Sequence, residues 1–172
     1  MSRGKPCRII KGLISANPCP RPANIPKSRP RGRKAAGLKY ERDLACGLRL
    51  SITGKAPIWH GQWFQFVDSR GMGVCQTDIL VKTPFGTAIL ESKYTWTEDG
   101  HTQIDKLYVP VVEKAYPGTP AFGIVVCKVL TGDVKPEWIC RDLESAVRRA
   151  ANGLKTVLHW VGSGLGPLQL AA

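Results

Sequence analysis

Gly73 to Lys93 reads GVCQTDILVKTPFGTAILESK, and the rest of the chain is arranged around this stretch. Its first half alternates as a half-buried strand does, with Val74, Gln76, Asp78 and Leu80 on one face and Cys75, Thr77, Ile79 and Val81 on the other. In the second half Thr87, Ile89, Glu91 and Lys93 share a face, because strand side chains alternate with period two. Thr83-Pro84-Phe85-Gly86 is the turn signal between the halves. A turn centred between Pro84 and Phe85 sets the register, for a two-residue or a four-residue loop alike. Thr83 then opposes Gly86, and Asp78 opposes Glu91. Opposed residues hold their Cβ atoms about 4.5–5.5 Å apart. Two carboxylates at that separation repel, and a divalent cation between them removes the objection. Mg²⁺ takes oxygen ligands at about 2.0–2.1 Å, and one or two carboxylates with several waters suffice.

Ala35 to Leu50 is expected to form the first helix. At about 100° per residue, Leu38, Tyr40, Leu44, Ala45 and Leu48 fall on one arc. Glu41 lies near the middle of that arc. A carboxylate on a core-facing stripe is costly unless it is paired or binds metal. The plainer reading is a glutamate that pairs with Arg42 or Arg49 at the rim, or reaches solvent.

Asp78, a gap, then Glu91-Ser92-Lys93 on the next strand resembles the PD-(D/E)xK nuclease superfamily, which places an acid on one strand and (D/E)xK on the following one. Thr77 stands where the family often has proline. The resemblance covers residues 35–130. It implies an α/β, restriction-endonuclease-like αβββαβ core, a central mixed sheet flanked by helices. It also implies a Mg²⁺-dependent deoxyribonuclease, with Mn²⁺ able to substitute. Asp78, Glu91 and the Ser92 backbone carbonyl would hold the metal, and Glu41 matches a helix glutamate that commonly joins them. Lys93 would position the attacking water and stabilise the developing charge. A Gln or Lys on the next helix completes the site in several branches, which makes Gln103 a secondary candidate. Trp96, in the loop leaving Lys93, either walls the substrate groove or packs. Small basic members with this layout include phage and archaeal Holliday-junction-resolving endonucleases, which act as dimers. The resemblance therefore implies a structure-selective endonuclease on branched DNA, working as a homodimer. Phage-type exonucleases, restriction-like endonucleases and a non-catalytic nucleic-acid-binding protein on the same fold are the alternatives. A basic RNA-associated protein with an accidental ExK is a further one.

The 172 residues include 43% hydrophobic ones and carry a net charge of +12, which suits one globular domain with a polyanionic partner. The charge is uneven. Residues 1–34 hold ten Lys or Arg, six Pro and no Asp or Glu, while the remainder has fifteen basic against thirteen acidic residues. This segment reads as a flexible basic arm, with Arg29, Arg31, Arg33 and Lys34 as DNA-phosphate contacts. A solvated tail or a mitochondrial targeting segment are the other readings, although the prolines oppose a long targeting helix. No apolar run is long enough to span a bilayer and no secretory signal is visible. The expected location is the cytoplasm of a bacterial or phage-infected cell, with mitochondrion and nucleus left open. Six cysteines form no CxxC, so buried free thiols in a reducing compartment are expected.

The nuclease-like domain is expected over residues 35–161. Ile58–Asp68 reads as one strand, His101–Tyr116 as a helix bent at Pro110, and Ala121–Leu130 as a buried strand. A third helix is expected to start at Pro136 and run to Ala150, followed by a short strand over Lys155–Val161 and a loose tail over residues 162–172. His60, His101 and His159 stand in no catalytic constellation and read as structural.

Overall fold

Along the chain the elements are β1 (Ser15–Cys19), α1 (Arg33–Ser51), β2 (Ile52–Thr53), β3 (Ile58–His60), β4 (Trp63–Asp68), β5 (Gly71–Gln76), β6 (Ile79–Thr83), β7 (Gly86–Thr95), α2 (Asp99–Gln103), a π-helical turn (Ile104–Tyr108), α3 (Val109–Ala115), β8 (Ala121–Val129), β9 (Ile139–Cys140), α4 (Leu143–Ala151), β10 (Val157–His159) and β11 (Leu168–Gln169). The computed structural model describes residues 8–25, 30–53, 56–162 and 168–169. The class is α/β. A six-stranded mixed sheet in the order β3-β6-β7-β8-β10-β9 carries helices on both faces. Strands β3, β6 and β7 pair antiparallel; β7, β8, β10 and β9 pair parallel.

The central hairpin forms in the register its turn dictates. Thr83 pairs with Gly86 and Ile79 with Leu90, so the ladder ends one residue short of Asp78 and Glu91. Thr83 closes the turn, its hydroxyl donating to Gly86 O at 2.9 Å and accepting from Phe85 N at 3.2 Å. Gly86 has φ +134, and a Cβ there would meet Pro120 O at 2.2 Å.

The two strands expected on either side of Asp68 are both bent. Ile58–Asp68 divides at Gly61, which has φ +69, and the first half of the hairpin divides at Thr77-Asp78. The breaks lie opposite each other. Gly61 N–H donates to Asp78 O at 2.7 Å, and Thr77 N–H to Gln62 O at 3.0 Å. His60 pairs with Ile79 before the bend and Trp63 with Gln76 after it, so one ribbon keeps one register through the kink. Its near half joins the large sheet. Its far half, β4 and β5, joins a second sheet in the order β1-β4-β5.

That second sheet corrects the reading of the N-terminus. Residues 15–19, expected to be part of a flexible arm, form β1 and pair antiparallel with β4. Upstream, Arg8 reaches the buried Asp68 carboxylate, which also accepts from Arg70 and the backbone N–H of Lys11 and Arg70. Burial pushes the Asp68 carboxyl up, but these donors outweigh it and hold it at about 2. Arg8 is thus a structural counterion rather than a spare cation. The helix bent at Pro110 is anchored by the same segment. Proline offers no N–H to the carbonyl four residues back, and that carbonyl, Lys106 O, accepts from Ile10 N at 3.1 Å instead. The bend is a π-helical turn just before Pro110.

Three further expectations are corrected. Pro136 opens only a single 3₁₀ turn, and Ile139 lies in β9; the helix starts after Asp142, whose carboxylate caps Ser145 N at 2.8 Å. Within the stretch expected to be a loose tail, Leu168–Gln169 pairs parallel with β2. Leu38, placed on the buried arc of α1, is exposed.

Two apolar layers hold the sheet. On one face Tyr40, Leu44 and Leu48 of α1 and Ala146 and Val147 of α4 pack on Val81, Leu90 and Ile124. On the other, Ile104, Leu107, Val111 and Val112 pack between Leu80, Ile89 and Val125 of the large sheet and Phe64 and Phe66 of the small one. Five described cysteines are free. No helix among the described residues is long and apolar enough to cross a membrane.

The π turn approaches β8 at Gly123, where a Cβ would meet Ile104 Cγ2 at 1.9 Å. Gly123→Ala should destabilise the fold by about 1–3 kcal/mol through overpacking, measured by denaturant unfolding. A truncation beginning after residue 19 should lower Tm as well, because it removes the edge strand and the Asp68 counterion.

Candidate active site

The kink in the ribbon releases Asp78 from the ladder and turns its side chain toward β7. Asp78 Oδ2 accepts from Ser92 N and from Ser92 Oγ, each at 2.8 Å. The observed role of Ser92 is therefore that of a double donor to Asp78. Glu91, on the neighbouring strand, is 2% exposed. Its Oε1 receives Lys93 Nζ at 2.5 Å, and its buried Oε2 has no hydrogen-bond partner. Period two puts Lys93 on the Glu91 face. Gly100 packs close by: a Cβ there would lie in ordinary contact, 3.5 Å from Lys93 Cε, and tightly at 3.1 Å from Val125.

Two residues arrive from the helices. Glu41, on α1, accepts from or shares a proton with His60 Nε2 at 2.8 Å, not with Arg42 or Arg49. Gln103, at the end of α2, places Oε1 3.4 Å from Lys93 Nζ and donates through Nε2 to the Tyr108 hydroxyl. The site thus gathers Asp78, Glu91, Lys93, Glu41 and Gln103. Trp96 is elsewhere. It is buried in the apolar layer with Val125 and Cys127, so packing answers the choice the sequence left open. Arg31, Arg33 and Lys34 are exposed around the start of α1, and Arg29 lies outside the described residues. His60 and Tyr108 belong to the site and were missed. Tyr108 read as one more position of an apolar stripe. His60 read as structural because its neighbour Glu41 lies on a different element.

The carboxylates feel one another. Burial, then the charge of Asp78, raises the Glu41 pKa against the pull of His60. Burial raises Asp78 against the Ser92 donors and Lys93. Burial, then Asp78, pushes Glu91 up to about 8, with Lys93 opposing and Glu41 adding to the rise. Burial alone would lower Lys93, but Glu91 and then Asp78 outweigh it and leave its pKa raised. Opposed charges in a low-dielectric site do this, and such mutually shifted groups cluster at functional sites.

As the side chains stand, no three or more His, Cys, Asp and Glu among the described residues are spaced to grip a metal ion. The donors themselves suit a hard divalent cation: they are carboxylate oxygens, one of them buried without a partner, and Mg²⁺ prefers such ligands with waters completing its shell.

The Glu91 shift has a defined sign. Its carboxyl is raised from 4.5 to about 8 in the folded chain, so the folded state holds a proton that the unfolded state releases. The protein without metal should lose stability as pH rises through that window, by at most about 1.4 kcal/mol per pH unit for one proton. Glu91→Gln should flatten the slope. Urea unfolding at several pH values across the window, with both proteins, measures it; equal slopes would contradict the assignment.

Comparison with known proteins adds no family to this geometry: no protein-family model, no curated protein and no solved structure matches the chain.

Proposed function

We propose that the protein is a Mg²⁺-dependent DNA nuclease, a structure-selective endonuclease of the PD-(D/E)xK type. One observation carries the reading. Asp78, bonded to Ser92 just beyond the end of the β6–β7 ladder, sits beside Glu91, with Lys93 seated on Glu91 and Glu41 approaching from α1. A fold gains nothing structural from clustered carboxylates in which the Asp78 charge raises the pKa of both Glu41 and Glu91, and a bound dication would give them a purpose. The element order supports the same reading. Counting β3 with β4 and β5 with β6 as single bent strands, and setting aside β1 and the two-residue β2, the elements from α1 to β8 run α-β-β-β-α-β.

In this reading Asp78 and Glu91 bind the metal, with Ser92 O and Glu41 as further oxygen donors. A bound Mg²⁺ would supply Lewis-acid polarisation of the phosphoryl group and an acidified water. With the Glu91 carboxylate committed to a metal, the Lys93 ammonium would be available to the scissile phosphate, where it would stabilise negative charge on the phosphoryl oxygens. Gln103 holds the lysine from the other side, and Tyr108 holds Gln103. His60 keeps Glu41 oriented.

The surface charge fits a phosphate-bearing substrate. α1 has no acid in its first turn. It carries Arg33 and Lys34 there instead, at the end where the helix dipole disfavours cations. Neither residue helps the helix. Both lie about two turns, or roughly 12 Å along the axis, from Glu41, within reach of a backbone crossing the site.

Purified protein with Mg²⁺ or Mn²⁺ should cut branched DNA. Lys93→Ala should keep the fold and the metal and lose cleavage by about 10²–10³, whereas Asp78→Asn should lose both metal and cleavage. Metal at a hundredfold excess over Kd should stabilise the parent by about 2.7 kcal/mol. Affinity should rise with pH up to about 8, because binding displaces the Glu91 proton. A parent that cuts no DNA with either metal, or a Lys93→Ala variant that cuts at the parental rate, sinks the proposal.

A further inference from the structure

Lys93 is also one end of a cleft of about 730 Å³. One wall is the α2 side of the site, with Thr102, Gln103 and Tyr108. The other is the small sheet, with Trp63 of β4 and Gln76 of β5. The cleft exists because the ribbon bends: a straight β3–β4 and β5–β6 pair would carry Trp63 and Gln76 onward in the large sheet, away from α2.

Its size matches pockets that enclose single small molecules, about 300–1,000 Å³. A volume of that order is enough for individual nucleotides. Its chemistry is equally selective. A groove that tracks phosphates is lined with lysine and arginine. Among the described residues the cations here are Lys93, which belongs to the proposed cutting site, and Arg8, which is engaged with Asp68 and with the Gly71 and Met72 carbonyls. The other polar groups are the threonine and Tyr108 hydroxyls and the glutamine amides, which both donate and accept, as base edges require, and the Asp99 carboxylate, which accepts as the amino groups of bases require and disfavours phosphate. Trp63 adds a flat aromatic surface, held by the Arg21 guanidinium 5.8 Å from its centroid. Amide, hydroxyl and aromatic groups beside one phosphate-binding lysine make a base pocket adjoining a cut site.

We propose that this cleft receives unpaired nucleotides next to the scissile phosphate, so that single-stranded ends or flaps, and not fully paired DNA, are the substrate. The inference rests on the nuclease reading for the cut itself, but occupancy of the cleft can be measured without it. Bases stacked on an aromatic side chain contribute about 1–3 kcal/mol each, which makes roughly tenfold in affinity the natural scale.

The test has a binding arm and a cleavage arm, both on the full chain. In the first, a fluorescent oligodeoxythymidine and a duplex of equal length are titrated without metal. Thr102→Tyr fills the cleft from an exposed position, and Trp63→Leu removes the stacking surface. Because Trp63→Leu could also disturb β4, Thr102→Tyr is the deciding variant, with its metal binding measured as a control. We expect it to weaken the single strand about tenfold and leave duplex affinity unchanged. In the second arm, one sequence is offered with Mg²⁺ as single strand, flap, blunt duplex and fully paired four-way junction. We expect cuts at the unpaired stretch, suppressed by Thr102→Tyr. Equal cutting of paired and unpaired DNA, insensitive to Thr102→Tyr, overturns the inference and leaves the nuclease reading standing. Single-strand binding that Thr102→Tyr abolishes, with no cleavage of any DNA, upholds the cleft and overturns the nuclease reading. Neither binding preference nor cleavage overturns both.

Discussion

Negative charge packed into a poorly hydrated corner of the sheet is the constraint on which the rest of the site depends. Glu91 is almost fully buried, Asp78 lies beside it just past the end of the ladder, and Glu41 feels the Asp78 charge and is felt by Glu91. Every strong contact nearby answers that charge. Lys93 sits on Glu91, the Ser92 amide and hydroxyl both point at Asp78, and His60 reaches Glu41. One carboxylate oxygen is still left with nothing to accept from. A sheet built only for stability would place hydrophobic residues here, since burying an unpaired polar group costs free energy. Local rules broken in one spot and kept elsewhere are characteristic of a functional site.

The rest of the fold fixes this corner in place. The ribbon bends where Gly61 supplies a left-handed backbone conformation, and the bend frees Asp78 to face Ser92. It also sends β4 and β5 over the opposite side of the π turn, so the helix that brings Gln103 to Lys93 is held between two sheets. The N-terminal segment completes the clamp. It gives the small sheet its edge strand, neutralises Asp68 and takes the helix carbonyl that Pro110 cannot use. A π turn in this position is consistent with the tendency of such turns to lie at functional sites. Here it has a packing cause as well, the close approach of Ile104 to Gly123.

Much of the site was legible because it is local. The Thr83–Gly86 turn fixes the hairpin register, register carries the ladder to Ile79 and Leu90 so that Asp78 and Glu91 come next on either side, and period two fixes Lys93. Each step needs only neighbours in sequence and the geometry of a strand. Glu41 was legible as a charge on an apolar stripe, although its partner was not. The arm misled for a physical reason. Composition reports how much apolar surface a segment can bury by itself, and residues 15–19 do not fold by themselves. Their backbone groups are satisfied by β4, and a backbone ladder depends little on side-chain type. The third helix was extended too far because Trp138 and Ile139 continue its stripe, while the cap that starts the helix, Asp142 on Ser145, lies inside the segment.

The sequence by itself therefore determined the strand pairing at the centre, the acids and lysine on it, and an alternating pattern of helices and strands. Tertiary structure decided what surrounds them: that His60 meets Glu41, that Gln103 and Tyr108 meet Lys93, and that a cleft opens beside the lysine. Those contacts join residues from separate elements, and they depend on the direction of a bend at Gly61 and Thr77-Asp78. Hydrophobic periodicity continues unbroken through that bend, because the register is the same on both sides, so nothing in the alternation marks where one sheet ends and the next begins.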